Sequence, residues 1–150
     1  MMQYFAYSQK AFVYKYVVML SDVDQFEHMS FANYLKLMFL AADALLVSCC
    51  EAKFLSDYRL KLIDSKLQFK KQTVAGNHIL IKVNSSQIND SNFSLLFTFI
   101  IEGAGDLVGL GRQAYQTVDR KQGSIQPLTG KIRSLLRTIE VNEENLLYKY

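Results

Sequence analysis

The 150-residue sequence has no tryptophan, one proline, two cysteines and seven glycines. So little proline and glycine excludes collagen-like and low-complexity linker sequences. The two cysteines, Cys49 and Cys50, are adjacent, which excludes the spaced framework of a disulfide-rich secreted domain. We therefore expect a reducing, cytoplasmic environment, in which both cysteines belong to an inert core.

Strong charge, a leader segment and a long hydrophobic run are also missing. The 17 basic and 14 acidic residues give a net charge of +3, which is too weak to predict nucleic-acid binding. The first ten residues lack the basic region and hydrophobic run of a signal peptide. Residues 34–50 are apolar but contain Lys36 and Asp43, and they fall short of the roughly 20 apolar residues of a membrane span. We expect neither nucleic acid nor a membrane among the partners.

The sequence is rich in residues that can form a hydrophobic core. Half of the residues are hydrophobic and 13% are aromatic. A chain of this length can bury about 68–70% of its unfolded surface. With no linker-like composition break and no internal repeat, the sequence predicts a single domain over residues 1–150.

The order of the predicted elements indicates an α+β fold. Residues 12–20 predict a well-buried strand, and residues 34–50 predict a long helix that is apolar on nearly every face. Four further strands are predicted at 60–69, 78–87, 93–102 and 107–119, with short turn sequences between them. Such turns favour hairpins and an antiparallel sheet of about five strands. A short helix at 129–139 follows, so we expect one long helix held against one sheet.

Polar chemistry is concentrated in residues 21–30, between the first strand and the helix. This loop holds several carboxylates and one of the two histidines, His28. Ser30 suits a helix N-cap, which leaves the backbone amides of Phe31 and Ala32 at the positive end of the helix dipole. Amides placed there can stabilise an oxyanion, and Asp24 can supply a base or a nucleophile. The residues alone leave open that the aspartates only form turns and that His28 is an ordinary loop histidine.

Other chemistries lack their sequence patterns. No second histidine lies at a helical spacing from His28, so we predict no metal site. The Gly-x-Ser-x-Gly elbow and the phosphate-binding loop are both absent. We predict no cofactor.

The same loop resembles a known family. Asp24 stands ten residues before Tyr34, which is near the start of the predicted helix, and His28 follows Asp24 by four residues. This spacing resembles that of the 4-hydroxybenzoyl-CoA thioesterase-like branch of the hotdog-fold thioesterases. In that fold, a curved antiparallel sheet wraps around one long central helix. The resemblance extends over about residues 12–138.

The resemblance implies an acyl thioester hydrolase acting on acyl-CoA or on an acyl carrier protein (ACP). The catalytic residues that it implies are Asp24 as base or nucleophile, His28 as an orienting group, the backbone amide of Phe31 as oxyanion donor, and Tyr34 at the helix start. It also implies a homodimer or homotetramer with its site at a subunit interface. The candidate substrate-binding residues are Asn33, Met38, Lys70, Lys71 and Arg112.

Departures from the family pattern keep other functions open. Relatives often place a glutamate and an arginine where this chain has Phe39 and Ala42, and a histidine or tyrosine where it has Phe31. A non-catalytic acyl-CoA-binding or regulatory hotdog protein, or a dimeric scaffold without ligand, is therefore an alternative. A hydratase or dehydratase is disfavoured because its proline-containing motifs are absent; the one proline is Pro127.

Overall fold

The computed structural model describes residues 11–49 and 56–145, except the side chains of residues 49 and 145. Five strands form one antiparallel sheet in the order β1-β3-β4-β5-β2. They are β1 (Phe12–Val17), β2 (Tyr58–Phe69), β3 (His78–Ser86), β4 (Asn92–Ile101) and β5 (Leu107–Asp119). The helices are α1 (Phe31–Cys49) and α2 (Gly130–Thr138), and short 3-10 turns lie at Leu20–Asp22 and Glu143–Asn145. The predicted α+β architecture is confirmed.

Strand β1 differs from the prediction. It ends at Val17 instead of residue 20, and its side chains alternate between half-buried and exposed. Because β1 is an edge strand paired only with β3, one of its faces meets the core while the other meets solvent. The prediction of a well-buried strand over residues 12–20 is therefore wrong.

Several element boundaries also shift. Helix α1 begins three residues before the predicted start because Ser30 accepts hydrogen bonds from the first turn. Strand β2 begins two residues early, at Tyr58, whereas β5 has the predicted bounds. The C-terminal helix is one residue shorter at each end, with Thr129 as its N-cap.

The core lies between α1 and the inner face of the sheet. Tyr34, Met38, Ala41 and Leu45 recur every three or four residues along α1 and are almost fully buried, as expected for one helical face. Strand β5 makes room for them with Gly111, where an added Cβ would lie 2.5 Å from the Met38 Cε.

The opposite face of α1 is uncovered. Phe39 is 43% exposed and Val47 66% exposed, so the sheet covers one side of the apolar helix and leaves the other open. By length and composition alone, residues 31–48 could also cross a membrane. The prediction of a core position for Cys49 and Cys50 falls outside the side chains described.

Candidate functional site

The loop between β1 and α1 closes into a small hairpin. Val23 and Met29 form an antiparallel bridge. Within it, the Asp24 amide donates to the His28 carbonyl at 2.9 Å and the Glu27 amide donates to the Asp24 carbonyl at 2.9 Å. Glu27 adopts a left-handed backbone conformation with φ of 64°, which the tight turn requires. The backbone thus fixes where Asp24 and His28 lie.

The Asp24 carboxylate both holds this turn and faces solvent. Its Oδ1 accepts from the Phe26 amide at 2.8 Å and from the His28 amide at 3.2 Å. Its Oδ2 has no hydrogen-bond partner among the residues that the structure describes. One oxygen of Asp24 is therefore committed to the loop, and the other is available for chemistry.

Asp22 stabilises the loop from inside. It is 7% exposed, and its Oδ2 accepts from the Tyr16 hydroxyl at 2.7 Å and from the Met19 amide at 2.8 Å. Burial, together with the hydrogen bond and charge of Asp22, raises the pKa of Tyr16 to about 12. The phenol therefore stays a donor to Asp22 over the neutral range.

The start of α1 is tied to the same loop. Ser30 Oγ accepts from the Asn33 amide at 3.3 Å, which makes Ser30 the predicted N-cap. The Asn33 side-chain amide donates to the Asp22 carbonyl. The backbone amides of Phe31 and Ala32 have no acceptor within the described ranges, so both remain available at the positive end of the helix.

Tyr34 lies inside the protein. Its side chain is buried, and its hydroxyl shares a 2.7 Å hydrogen bond with Thr73 Oγ1. Its ring makes edge contacts with Phe69 and Phe99 at centroid distances of 4.9 and 5.5 Å. Burial raises the Tyr34 pKa, opposed by the hydrogen bond from Thr73. The structure places this hydroxyl as an anchor of the helix start.

The remaining candidates occupy different surroundings. His28 is half-buried beside Asp24: its carbonyl accepts from the Asp24 amide, and its amide donates to the Asp24 carboxylate. The side chain of Asn33 is used in the loop, and Met38 is fully buried against Gly111. Asp24 and His28 therefore lie in the loop that leads into α1, the Phe31 amide lies at the helix start, and Met38 lies deeper in the core.

The three basic candidates do not form one cluster. Lys70 follows β2 and is exposed, and the neighbouring Lys71 pairs with Asp106 at 2.6 Å. Arg112 lies in β5, three positions beyond Gly109, which is the residue opposite Phe69. It pairs with Glu143 at 3.2 Å on the outer face of the sheet. At about 3.3 Å per residue, the three positions separate Arg112 from the Phe69 end of β2 by roughly 10 Å.

A cavity of about 230 Å³ lies further along α1, between the helix and strands β2 and β5. Its walls include Phe39, Leu46 and Leu62, and its polar and charged members include Asp43, Arg59, Tyr115 and Arg120. Counting about 1.5 Å per helical residue, Phe39 lies roughly 12 Å along the helix from Phe31. At about 30 Å³ per water, the space equals on the order of eight water molecules, so it fits part of a small apolar group.

A buried polar row lies behind the cavity. The Tyr115 hydroxyl donates to Gln113 Oε1, and Gln113 Nε2 donates to Ser65 Oγ at 3.2 Å. Burial raises the Tyr115 pKa, and the negative charge of Asp43 adds to the rise. Asp43 itself has no hydrogen bond or ion pair to any residue of the described ranges.

Sequence reasoning missed Thr73 and Phe69. Thr73 holds Tyr34 through its hydroxyl, and its carbonyl accepts from the Met29 amide at 3.1 Å. Phe69 contacts Phe31 at 5.7 Å as well as Tyr34. Both residues are about 40 positions from the loop in sequence, and no local pattern signals their part in the site.

No group of three His, Cys, Asp or Glu side chains within residues 11–49 and 56–145 is arranged to hold a metal ion. The loop nevertheless combines a carboxylate with a free oxygen and helix-start amides without acceptors. A base or nucleophile beside an oxyanion-binding position is what acyl transfer requires.

Comparison with known families agrees with this chemistry. The model of the thioesterase-like superfamily matches residues 18–144. The chain belongs to the thioesterase-like superfamily. The match includes the whole loop, α1 and strands β2 to β5. No curated protein sequence matches the chain significantly.

Solved structures show the same fold at low sequence identity. A 1,4-dihydroxy-2-naphthoyl-CoA thioesterase from Synechocystis is 17% identical, with a TM-score of 0.77 over 85% of this chain and 96% of that one. The dynemicin thioesterase is 17% identical, with a TM-score of 0.81 over 89% and 99%. A hypothetical protein from Staphylococcus aureus, solved in complex with CoA, is 13% identical with a TM-score of 0.80 over 94% of both chains. The fold is the predicted hotdog fold.

Proposed function

We propose that this protein hydrolyses acyl thioesters carried by CoA or by an acyl carrier protein. The observation that carries the proposal is the exposed Asp24 carboxylate, with one oxygen free, in a loop braced to the start of α1. Membership of the thioesterase-like superfamily supports the reaction class. One similar protein, from Staphylococcus aureus, was solved with CoA, and another, from Synechocystis, is a 1,4-dihydroxy-2-naphthoyl-CoA thioesterase. Both support an acyl-CoA type of thioester as the substrate.

In the proposed reaction, the thioester carbonyl lies at the start of α1. Asp24 Oδ2 either removes a proton from an attacking water or attacks the carbonyl carbon itself. The oxyanion that forms accepts from the Phe31 amide, where the helix dipole favours negative charge. The tetrahedral intermediate then expels the thiolate, which takes the proton held by Asp24 in the base route and a proton from water in the covalent route. His28 orients the water or Asp24. In the covalent route, water hydrolyses the resulting acyl anhydride.

The other candidates take supporting roles in this proposal. Tyr34 and Asn33 position the helix start, since both side chains are engaged in hydrogen bonds within the protein. Met38 contributes to the apolar surroundings of the acyl group, and the cavity beside Phe39 receives its far end. Lys70, Lys71 and Arg112 stay candidates for contact with the carrier.

We also propose a homo-oligomer, a dimer or a tetramer. Several large apolar side chains of α1, β2 and the connection after β2 are 43–54% exposed, and a second copy of the chain would cover them. They are Phe31, Phe39, Ile63, Phe69 and Val74. A single domain over residues 1–150 and a cytoplasmic location stay predictions.

A panel of short, aromatic and long-chain acyl-CoA thioesters tests the reaction class. We expect release of free CoA, followed with a thiol reagent, to exceed the uncatalysed rate for at least one acyl group. The alternative of a non-catalytic acyl-CoA-binding protein predicts a different result. A non-hydrolysable acyl-CoA analogue would then raise the melting temperature, while no thioester in the panel or on a carrier protein is turned over. That outcome would overturn the proposal.

A further inference from the structure

The positive charge of this chain is concentrated on one strand. From Tyr58 to Lys70 the sequence has four basic residues and one acidic residue, Asp64. The remainder of the chain has thirteen of each sign, so this segment accounts for the whole net charge of +3. A local excess of this kind creates an electrostatic potential that a small net charge does not reveal.

The four cations of this segment have no acidic partner among the described residues. Ion pairs form elsewhere, at Lys15–Glu102, Lys71–Asp106, Arg112–Glu143 and Arg137–Glu140. Arg59, Lys61, Lys66 and Lys70 are all exposed and make no ion pair with any residue in the described part of the chain. We call these four residues the β2 stripe. Their charge is available to a partner.

The sheet register places Lys61 and Lys66 on the outer face of the sheet, while Arg59, near the start of β2, also lines the cavity beside α1. Leu60, Leu62 and Leu67 pack against the core, so Lys61 and Lys66, which are next to them in the strand, turn outward. Lys61 lies opposite Gln116, and Lys66 lies opposite Arg112. Glu143 already offsets the charge of Arg112. The cations therefore form a row along an edge strand, with Lys61 and Lys66 on its outer side.

The stripe is long and begins at the candidate site. Eleven residue steps at about 3.3 Å separate Arg59 from Lys70, which gives a length of roughly 36 Å. Lys70 directly follows Phe69, whose ring contacts both Phe31 and Tyr34 at the start of α1. The phosphates of a single nucleotide cluster at one point, whereas a row of this length matches an extended protein surface.

We propose that the β2 stripe docks an acidic protein that presents the acyl thioester to the site at the start of α1. This inference rests on the proposed function and commits its substrate to a protein carrier. The row of cations attracts and orients the carrier, which raises the rate of encounter more than the affinity at close contact. The thioester then enters at the Phe69 end of β2.

The test compares one acyl group on three thiols: uncharged pantetheine, CoA and a bacterial acyl carrier protein. The variant is Lys61→Gln/Lys66→Gln, which neutralises the middle of the stripe and leaves Lys70 in place. The matched control, Lys15→Gln/Lys121→Gln, removes the same charge from the opposite edge strand and from the turn after β5. We expect the stripe variant to lose about five- to tenfold in kcat/KM on the carrier protein at low salt. The control should lose less than twofold, and the pantetheine and CoA substrates should be unaffected by either.

Three results would overturn the inference. An equal loss on CoA would assign the stripe to phosphate binding, an unchanged rate on the carrier protein would leave it without a docking role, and an equal loss in the control would indicate a general charge effect. If the wild type hydrolyses none of the three thioesters, the proposed function fails separately. Fluorescence anisotropy of a labelled carrier protein then decides the docking surface, because binding at low salt weakens in the stripe variant only if the inference holds.

Discussion

The polar groups around the two halves of α1 are used in opposite ways. At its start, Asp22, Asn33 and Tyr34 are each engaged in hydrogen bonds that join the loop, the helix and the β2–β3 connection. In its second half, Asp43 is exposed, has no partner within the described ranges, and lines a cavity. The hydrogen bonds at the helix start fix its geometry, whereas the second half of the helix borders a cavity. Such a division suits a site in which the reacting carbonyl needs precise placement and the acyl group needs volume.

Removing a carboxylate from each half gives the largest expected contrast. Asp22→Ala leaves the Tyr16 hydroxyl and the Met19 amide without a hydrogen-bond acceptor. We therefore expect it to lower the free energy of unfolding by about 3 kcal/mol. Asp43→Ala removes an exposed group without partners and should change it by less than about 0.5 kcal/mol. Urea denaturation measures both. Equal losses in the two variants would show that the helix start is not specially braced.

Packing under the middle of α1 gives the next effect. An alanine at Gly111 would place its Cβ 2.5 Å from Met38 Cε, and the methionine must move to admit it. We expect Gly111→Ala to cost about 1–3 kcal/mol, measured by the same denaturation. Gly130→Ala is the matched control, since nothing lies within 4 Å of a Cβ there. A Gly111→Ala protein as stable as the control would contradict this view of the core.

The smallest expected effect is a loss of stability at alkaline pH through the hydrogen bond between Tyr16 and Asp22. Burial and Asp22 raise the Tyr16 pKa from 10.0 to about 12, so the neutral phenol is favoured in the folded state. Its stabilising contribution is complete below pH 10 and is lost as the pH rises through about 12. Unfolding of the wild type and Tyr16→Phe in urea at several pH values measures this. We expect their stability difference to be largest below pH 10 and to shrink above it; parallel curves would contradict the expectation.

Much of the fold was predictable because its signals are local. Strand β5 is bounded by turn sequences, and its predicted limits are those observed. The Ser30 cap and the concentration of polar residues in the loop are likewise local patterns. Strand β1 was mispredicted because the sequence does not show which strands lie at the sheet edge, and its exposed face carries Val13 and Val17.

The supporting contacts of the site were not predictable in the same way. Thr73 and Phe69 reach the helix start only because β2 and the connection to β3 fold back across it. The burial of Asp22 depends on Tyr16 from the neighbouring strand. Such contacts follow from tertiary structure, so a single sequence identifies Asp24 as a candidate but not the residues that hold its loop.

The measurement that tests the account most directly is thioester hydrolysis by Asp24→Asn beside Glu27→Gln. Asparagine keeps an oxygen that can accept from the Phe26 and His28 amides, so the loop is retained while the free carboxylate oxygen is lost. Glu27→Gln removes a neighbouring exposed carboxylate from the same turn. We predict a loss of at least about 100-fold in kcat for Asp24→Asn, with Glu27→Gln within about twofold of the wild type. Equal rates for Asp24→Asn and the wild type would contradict the central claim.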